Sequence, residues 1–192
     1  MTHHMRFGRR ALLLAAAGAA VLPARADTAA LRVAFAAGGA ALLLRHAQTE
    51  AGIGDPPGFR LDDCRTQRNL SEAGRAQARR AGEALAALRL RVDELRSSRW
   101  CRCIDTARLM FPGREVTVLE SLNSFFEDRS RAAAQTAALR SYLSQLPPRN
   151  AVLVTHQVNV SALAGVGVAM GEGVVLRMEA GTPRVLARVA LG

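Results

Sequence analysis

The chain has 192 residues, 26 basic and 16 acidic, for a formal charge of +10, and every basic residue is arginine. This length makes one domain with a full core, and 49% hydrophobic against 22% charged residues excludes a disordered chain. Aromatic residues reach only 4%, which argues against a stacking surface for single-stranded nucleic acid, while the basic excess points nominally to a polyanion or an anionic membrane.

The N-terminus accounts for part of that excess. Arg6 to Ala26 has a basic start, an apolar run from Ala11 to Leu22, and Ala24-Arg25-Ala26 as a small-residue cleavage site, the three parts of a secretory signal peptide. The run falls short of the ~20 residues that span a bilayer, so no stable membrane anchor is expected. Arg9-Arg10 resembles a twin-arginine export signal; an ordinary signal with two arginines in its basic start is the alternative. Residues 1–26 are read as the leader and 27–192 as one domain, periplasmic or secreted. The leader holds four arginines and no acid, leaving 22 basic and 16 acidic residues, a net +6.

Beyond the leader, strands and helices alternate. Gly39 to His46 is an apolar run with a polar end, as in a buried strand that reaches an active edge. Gly52 to Asp63 is a loop, and Ser71 caps a helix that continues to Leu90. Val92 to Ser98 reads as a strand, Trp100 to Phe111 as a helix stopped by Pro112-Gly113, and Val116 to Leu119 as a short strand. Ala132 to Leu146 is an alanine-rich helix ended by Pro147-Pro148. Asn150 to His156 repeats the first strand pattern, and Val174 to Met178 and Arg184 to Leu191 are late strands. The pattern predicts an α/β sandwich with a mostly parallel sheet, its chemistry beyond the carboxyl ends of the strands.

Three cysteines, Cys64, Cys101 and Cys103, would then sit in an oxidising compartment. Cys101 and Cys103 face different ways on a helix, so a bridge from Cys64 to one of them is expected; three small buried hydrophobes are the alternative. No cysteine or histidine pair has zinc-ligand spacing, and no metal or cofactor is expected.

The domain keeps two histidines, His46 and His156, each following an apolar strand. Arg45 precedes His46 at the first strand end, and Arg102 starts the helix that follows the strand Val92 to Ser98. Arginine forks match phosphoryl oxygens, and a neutral imidazole is a nucleophile near neutral pH. The run Leu44-Arg45-His46-Ala47-Gln48-Thr49-Glu50 resembles the signature of the histidine phosphatase superfamily, the phosphoglycerate mutase-like group. Asn69 to Arg75, Ser97 to Ala107 and Val152 to His156 follow in that family's order, so the resemblance covers about residues 39 to 165.

The resemblance implies a three-layer α/β sandwich, phosphoglycerate mutase-like, and a phosphoric monoester hydrolase of histidine acid type that needs no metal. It makes His46 the nucleophile that forms a phosphohistidine, Arg45 and Arg102 the holders of the phosphoryl oxygens, and His156 a further pocket member. Glu127 and Asp128 are the candidates for the acid, Asp128 being preferred because Phe125-Phe126 suggests a partly buried turn. Gln48, Thr49, Arg68 and Asn159 are candidate substrate contacts. Arg75, Arg79 and Arg80 are read as a solvated helix face, so no nucleic acid is expected. The expected substrates are a phosphorylated small molecule, an envelope sugar phosphate or a phosphoprotein. Ala47 departs from the family's usual glycine. If that position needs a positive φ, a methyl group distorts the pocket, and a weak or inactive phosphate-binding module becomes the alternative function.

Overall fold

The computed structural model describes residues 28–192; the leader read at residues 1–26 lies outside them. The order is α1 (Thr28–Ala37), β1 (Ala40–Arg45), α2 (Glu72–Ala87), β2 (Glu94–Ser97), α3 (Cys101–Met110), β3 (Thr117–Val118), α4 (Ala132–Ser144), β4 (Ala151–Thr155), α5 (Gln157–Ala164), β5 (Glu172–Glu179) and β6 (Thr182–Ala190). One six-stranded sheet runs β3-β2-β4-β1-β5-β6. The first four of these strands are parallel, and the β5–β6 hairpin continues the sheet antiparallel from β1.

Alternation along β1 explains why its sequence is apolar throughout. Leu42 and Leu44 pack on the face covered by α1, α2 and α3, with Phe35, Leu85 and Met110. Ala41 and Leu43 pack on the other face, against Leu139 and Leu143 of α4 and Val160 and Leu163 of α5. Both faces are therefore dry, and each fully buried leucine contributes about 1.5–3 kcal/mol. The result is the expected three-layer sandwich.

The long helix begins where its cap sits: the Ser71 side chain accepts from the Gly74 amide. Gly74 has a second duty, because a Cβ there would lie 1.8 Å from the Gln48 carbonyl oxygen. Glycine thus lets α2 lie directly against the segment leaving β1. Two helices, α1 and α5, add to the predicted elements. Gln157, Asn159 and Ser161 alternate with apolar residues along α5, which leaves no helical stripe to read, and the helix ends on Gly165 at φ +69.

Asn150 fastens the amino-terminal end of the sheet. Its Oδ1 accepts from the Ala40 amide at 3.0 Å, and its Nδ2 donates to the Phe35 and Arg91 carbonyls at 2.8 and 3.1 Å. Its amide donates to Asp93 Oδ2 at 2.8 Å, and its carbonyl accepts from the Asp93 and Glu94 amides. One residue thereby joins the end of α1 and the starts of β1, β2 and β4.

Candidate active site

Register brings the two histidines together. Arg45 pairs with Thr155 across β1 and β4, and the next step, His46 N–H to the Thr155 carbonyl at 2.9 Å, extends the ladder past the strands. The His46 and His156 rings lie edge to face with centroids 5.5 Å apart, and both residues are buried. Ser98, beyond the end of β2, approaches the same point.

The tautomers follow from the partners. His46 Nδ1 lies 2.8 Å from the Ala47 carbonyl, which can only accept, so Nδ1 carries the proton and Nε2 the lone pair. Burial first, then the Arg102 charge, lowers the His46 pKa to about 3. The Ser98 hydroxyl donates to Asn123 Oδ1 at 3.2 Å and so accepts from His156 Nε2 at 2.8 Å. Burial, followed by the neighbouring His46 and the arginines, holds His156 neutral as well. Cys103 lies 3.4 Å from His156 Nε2, but burial pushes its thiol up to about 12, which makes it a packing residue rather than a nucleophile.

Three arginines surround this pair, each secured through Nη1. Arg45 Nη1 donates to Gln157 Oε1 and the Val168 carbonyl, and Arg68 Nη1 donates to the Gly52 carbonyl. Arg102 Nη1 donates to Asp55 Oδ1 at 2.7 Å and to the Arg68 carbonyl at 3.3 Å, and its Nη2 donates to Asp55 Oδ2 at 3.1 Å. In all three the Nε is buried and has no hydrogen-bond partner. Burial, with the Arg68 and Arg102 charges, lowers the Arg45 pKa from its usual value. Burial opposes ionisation of Asp55, but hydrogen bonds and charge from Arg102, the Arg68 amide and the Trp100 indole outweigh it and hold the carboxyl below its usual range.

A cavity of about 510 Å³ opens over these groups, and its wall includes Arg45, His46, Arg68, Arg102, Glu127, Asp128 and His156. Three expected substrate contacts lie elsewhere. Asn159 is buried and donates to the Leu122 and Asn123 carbonyls and to Thr155 Oγ1, so it braces the loop after β3. Gln48 is exposed and uses its backbone against Gln77 and Gly74. Thr49 is buried, with its hydroxyl on Met170 Sδ. Sequence reasoning missed Asp55, Ser98 and Trp100. The signal for Ser98 and Trp100 was present, since both flank Arg102 within a quoted motif.

Ala47 settles its own question. It is not among the positive-φ residues of the described chain, it is buried, and its amide donates to Thr106 Oγ1 at 3.1 Å. The methyl group therefore fits without strain. Asp128 caps the short 3-10 turn Arg129–Arg131 by accepting from Ser130, whereas Glu127 is exposed and projects toward the facing loop, its Oε1 3.8 Å from where a Cβ on Gly54 would stand. Cys64 and Cys101 form a disulfide, the bridge expected for Cys64, and Cys103 is free. Arg79 and Arg80 are exposed on α2. Among the described residues no group of three or more His, Cys, Asp and Glu side chains gathers in a metal-holding arrangement, and no helix is long and apolar enough to cross a membrane.

No curated protein matches the chain at the level of sequence. Solved structures match its fold. The candidate phosphohistidine phosphatase SixA of Agrobacterium tumefaciens is 23% identical, with a TM-score of 0.55 over 79% of this chain and 97% of that one. A mycobacterial glucosyl-3-phosphoglycerate phosphatase in complex with VO3 is 22% identical, with a TM-score of 0.58 over 80% and 98%. A mutant phosphoserine phosphatase of Entamoeba histolytica in complex with phosphoserine is 15% identical, with a TM-score of 0.58 over 79% and 97%. Residues 41–128 match the model of the histidine phosphatase superfamily, branch 1. Over that segment the chain is similar to the histidine phosphatase superfamily, and its fold is that of the phosphatases above.

Proposed function

We propose that the protein is an exported phosphomonoesterase, of histidine acid type, that works without a metal through a phosphohistidine on His46. The observation that carries this reading is a neutral His46 with its Nε2 lone pair free, beside three guanidinium groups whose Nε donors have no partner. A module that only bound phosphate would have no need of a nucleophile held in that tautomer, which disfavours the weak or inactive alternative.

The chemistry takes two displacements. His46 Nε2 attacks phosphorus, the bond to the ester oxygen breaks, and that oxygen takes a proton from an acid at the cavity wall. The imidazolium left on His46 stays hydrogen-bonded through Nδ1 to the Ala47 carbonyl. Water then attacks the phosphohistidine, returns a proton to the acid, and releases phosphate. Arg45, Arg68 and Arg102 neutralise the phosphoryl oxygens throughout, the role that fixed donors fill in phosphoryl transfer. His156 is held neutral by burial and nearby cations, and a phosphoryl dianion acts in the opposite sense, favouring the protonated donor. We assign the acid to Glu127 rather than Asp128, because the Asp128 carboxylate already caps a turn.

Substrates of this reading are phosphorylated small molecules, envelope sugar phosphates or phosphoproteins. The named phosphatases of similar fold are consistent with such phosphoesters. The Cys64–Cys101 bridge supports export, since structural disulfides persist in oxidising compartments. The decisive experiment traps an acid-labile phosphoenzyme from an aryl phosphate in the presence of chelator. Label on His46, absent from His46→Ala, is expected; loss of label with chelator overturns the metal-free mechanism. Glu127→Gln should slow poor leaving groups by about 10²–10⁴-fold and good ones little. Fractionation should place the protein outside the cytoplasm.

A further inference from the structure

Asp55 is the least expected group at the site: a carboxylate from a loop, 4% exposed, inside a ring of phosphate-binding cations. It accepts four hydrogen bonds, from Arg102 Nη1 and Nη2, from the Trp100 indole at 2.9 Å and from the Arg68 amide at 2.9 Å. An anion here could compete with substrate or could shape the site for it.

The donors of Arg102 decide between the two. Guanidinium carries five N–H donors in a fixed fork. Nη1 uses both of its protons, on Asp55 and the Arg68 carbonyl, and Nη2 uses one on Asp55. What remains is the Nε proton, which has no partner, and one proton on Nη2. These two lie on the same edge of the fork, the edge that pairs side-on with two oxygens of a phosphoryl group. Asp55 therefore takes the end of the guanidinium and leaves its side free. The carboxylate also offsets one charge among Arg45, Arg68 and Arg102, and through the Arg68 amide it ties a second arginine to the same loop.

We infer that Asp55 is a positioning residue that clamps the end of Arg102, so that the guanidinium offers its Nε–Nη2 edge to the phosphoryl group. The inference rests on the phosphatase reading and names a device within it. The test measures inhibition by inorganic phosphate, and kcat and KM for an aryl phosphate, in the full disulfide-bonded chain. Asp55→Asn is expected to weaken phosphate binding and raise KM by about tenfold or more, with a smaller change in kcat. In an Arg102→Ala background the same substitution is expected to add almost nothing, because a residue that acts through Arg102 loses its effect with it. Full additivity would reveal a purely structural loop role and overturn the inference. Phosphate binding as tight as in the unsubstituted chain, or tighter, would show Asp55 to be a competing anion and overturn it too. If Asp55→Asn does not fold, Trp100→Phe removes one hydrogen bond to the carboxylate. A several-fold rise in the phosphate inhibition constant that vanishes without Arg102 supports the clamp, and no rise overturns it. A wild-type chain that neither binds phosphate nor turns over the ester would overturn the phosphatase reading itself, whereas unaffected variants of an active enzyme overturn the clamp alone.

Discussion

The two ends of the sheet arrange their buried polar groups differently: Arg177, in register with Ala40 at the amino-terminal end, leaves a lone Nε unpartnered, whereas three such donors gather at the other end. At the amino-terminal end, Asn150 satisfies its side-chain and backbone groups against α1, β1, β2 and the segments beside them. At the carboxyl-terminal end, Arg45, Arg68 and Arg102 are secured at Nη1 and left unpartnered at Nε. Nearly all buried polar groups in native proteins are paired, so a cluster of unpaired donors at one end is a departure with a purpose. It keeps open the donors that an incoming anion requires. The end braced by Asn150 holds the strands in place, and that geometry sets where the three open donors stand.

Substitutions at the two ends should separate stability from activity. Arg45→Ala is expected to lower kcat/KM by about 10²–10³-fold while leaving the melting temperature unchanged or raised, since it removes one of three neighbouring cations; a matching loss of stability would break the contrast. Asn150→Ala is expected to destabilise by roughly 2–4 kcal/mol, because it strips buried partners from Ala40, Phe35 and Arg91. The folded fraction should keep its KM, as judged by urea titration alongside steady-state kinetics.

A gentler probe of the site is acid. His46 and His156 have lowered pKa values, so the unfolded chain binds their protons more readily than the folded one. Their contribution is fully present above about pH 6.5, the usual histidine value, and is lost as the pH falls through that window toward about 3 for His46. Urea midpoints taken between pH 7 and 5 should fall, and His46→Asn should flatten part of the slope. A slope unchanged by that substitution would mean that His46 is not buried neutral. At the smallest end, Arg184→Ala removes an exposed pair with Glu179 and should shift stability by less than about 0.5 kcal/mol, which sets the background against which the other changes are read.

What could be seen in the sequence was whatever local pattern controls. Apolar runs ending in Arg45-His46 and Thr155-His156 place both histidines at strand ends, and the sheet register then makes them neighbours. Ser71 behaves as the cap its position suggests. Glu72–Ala87 and Cys101–Met110 start within a residue or two of their expected bounds. What escaped depends on partners distant in sequence. Asp55 is defined by Arg102, 47 positions on, and nothing in a Gly-Asp-Pro-Pro-Gly loop announces burial. Asn159, a candidate substrate contact in the sequence, turns on α5 to the loop after β3. The choice between Glu127 and Asp128 rested on hydrophobic neighbours, and the capping contact of Asp128 is the reason the proposal above names Glu127 instead.

The disulfide gives the site a history as well as a shape. Cys64 lies on the segment that carries Arg68, and Cys101 is the residue before Arg102, so the bridge fixes the spacing between two walls of the cavity. With thiols reduced, the same walls are joined by weaker links such as the Cys101 amide to Gln67 Oε1 at 2.9 Å. A newly made chain in a reducing compartment would have every side chain of the site but no covalent gauge between them. Under the export proposed above, oxidation supplies that gauge only once the chain has left the reducing compartment.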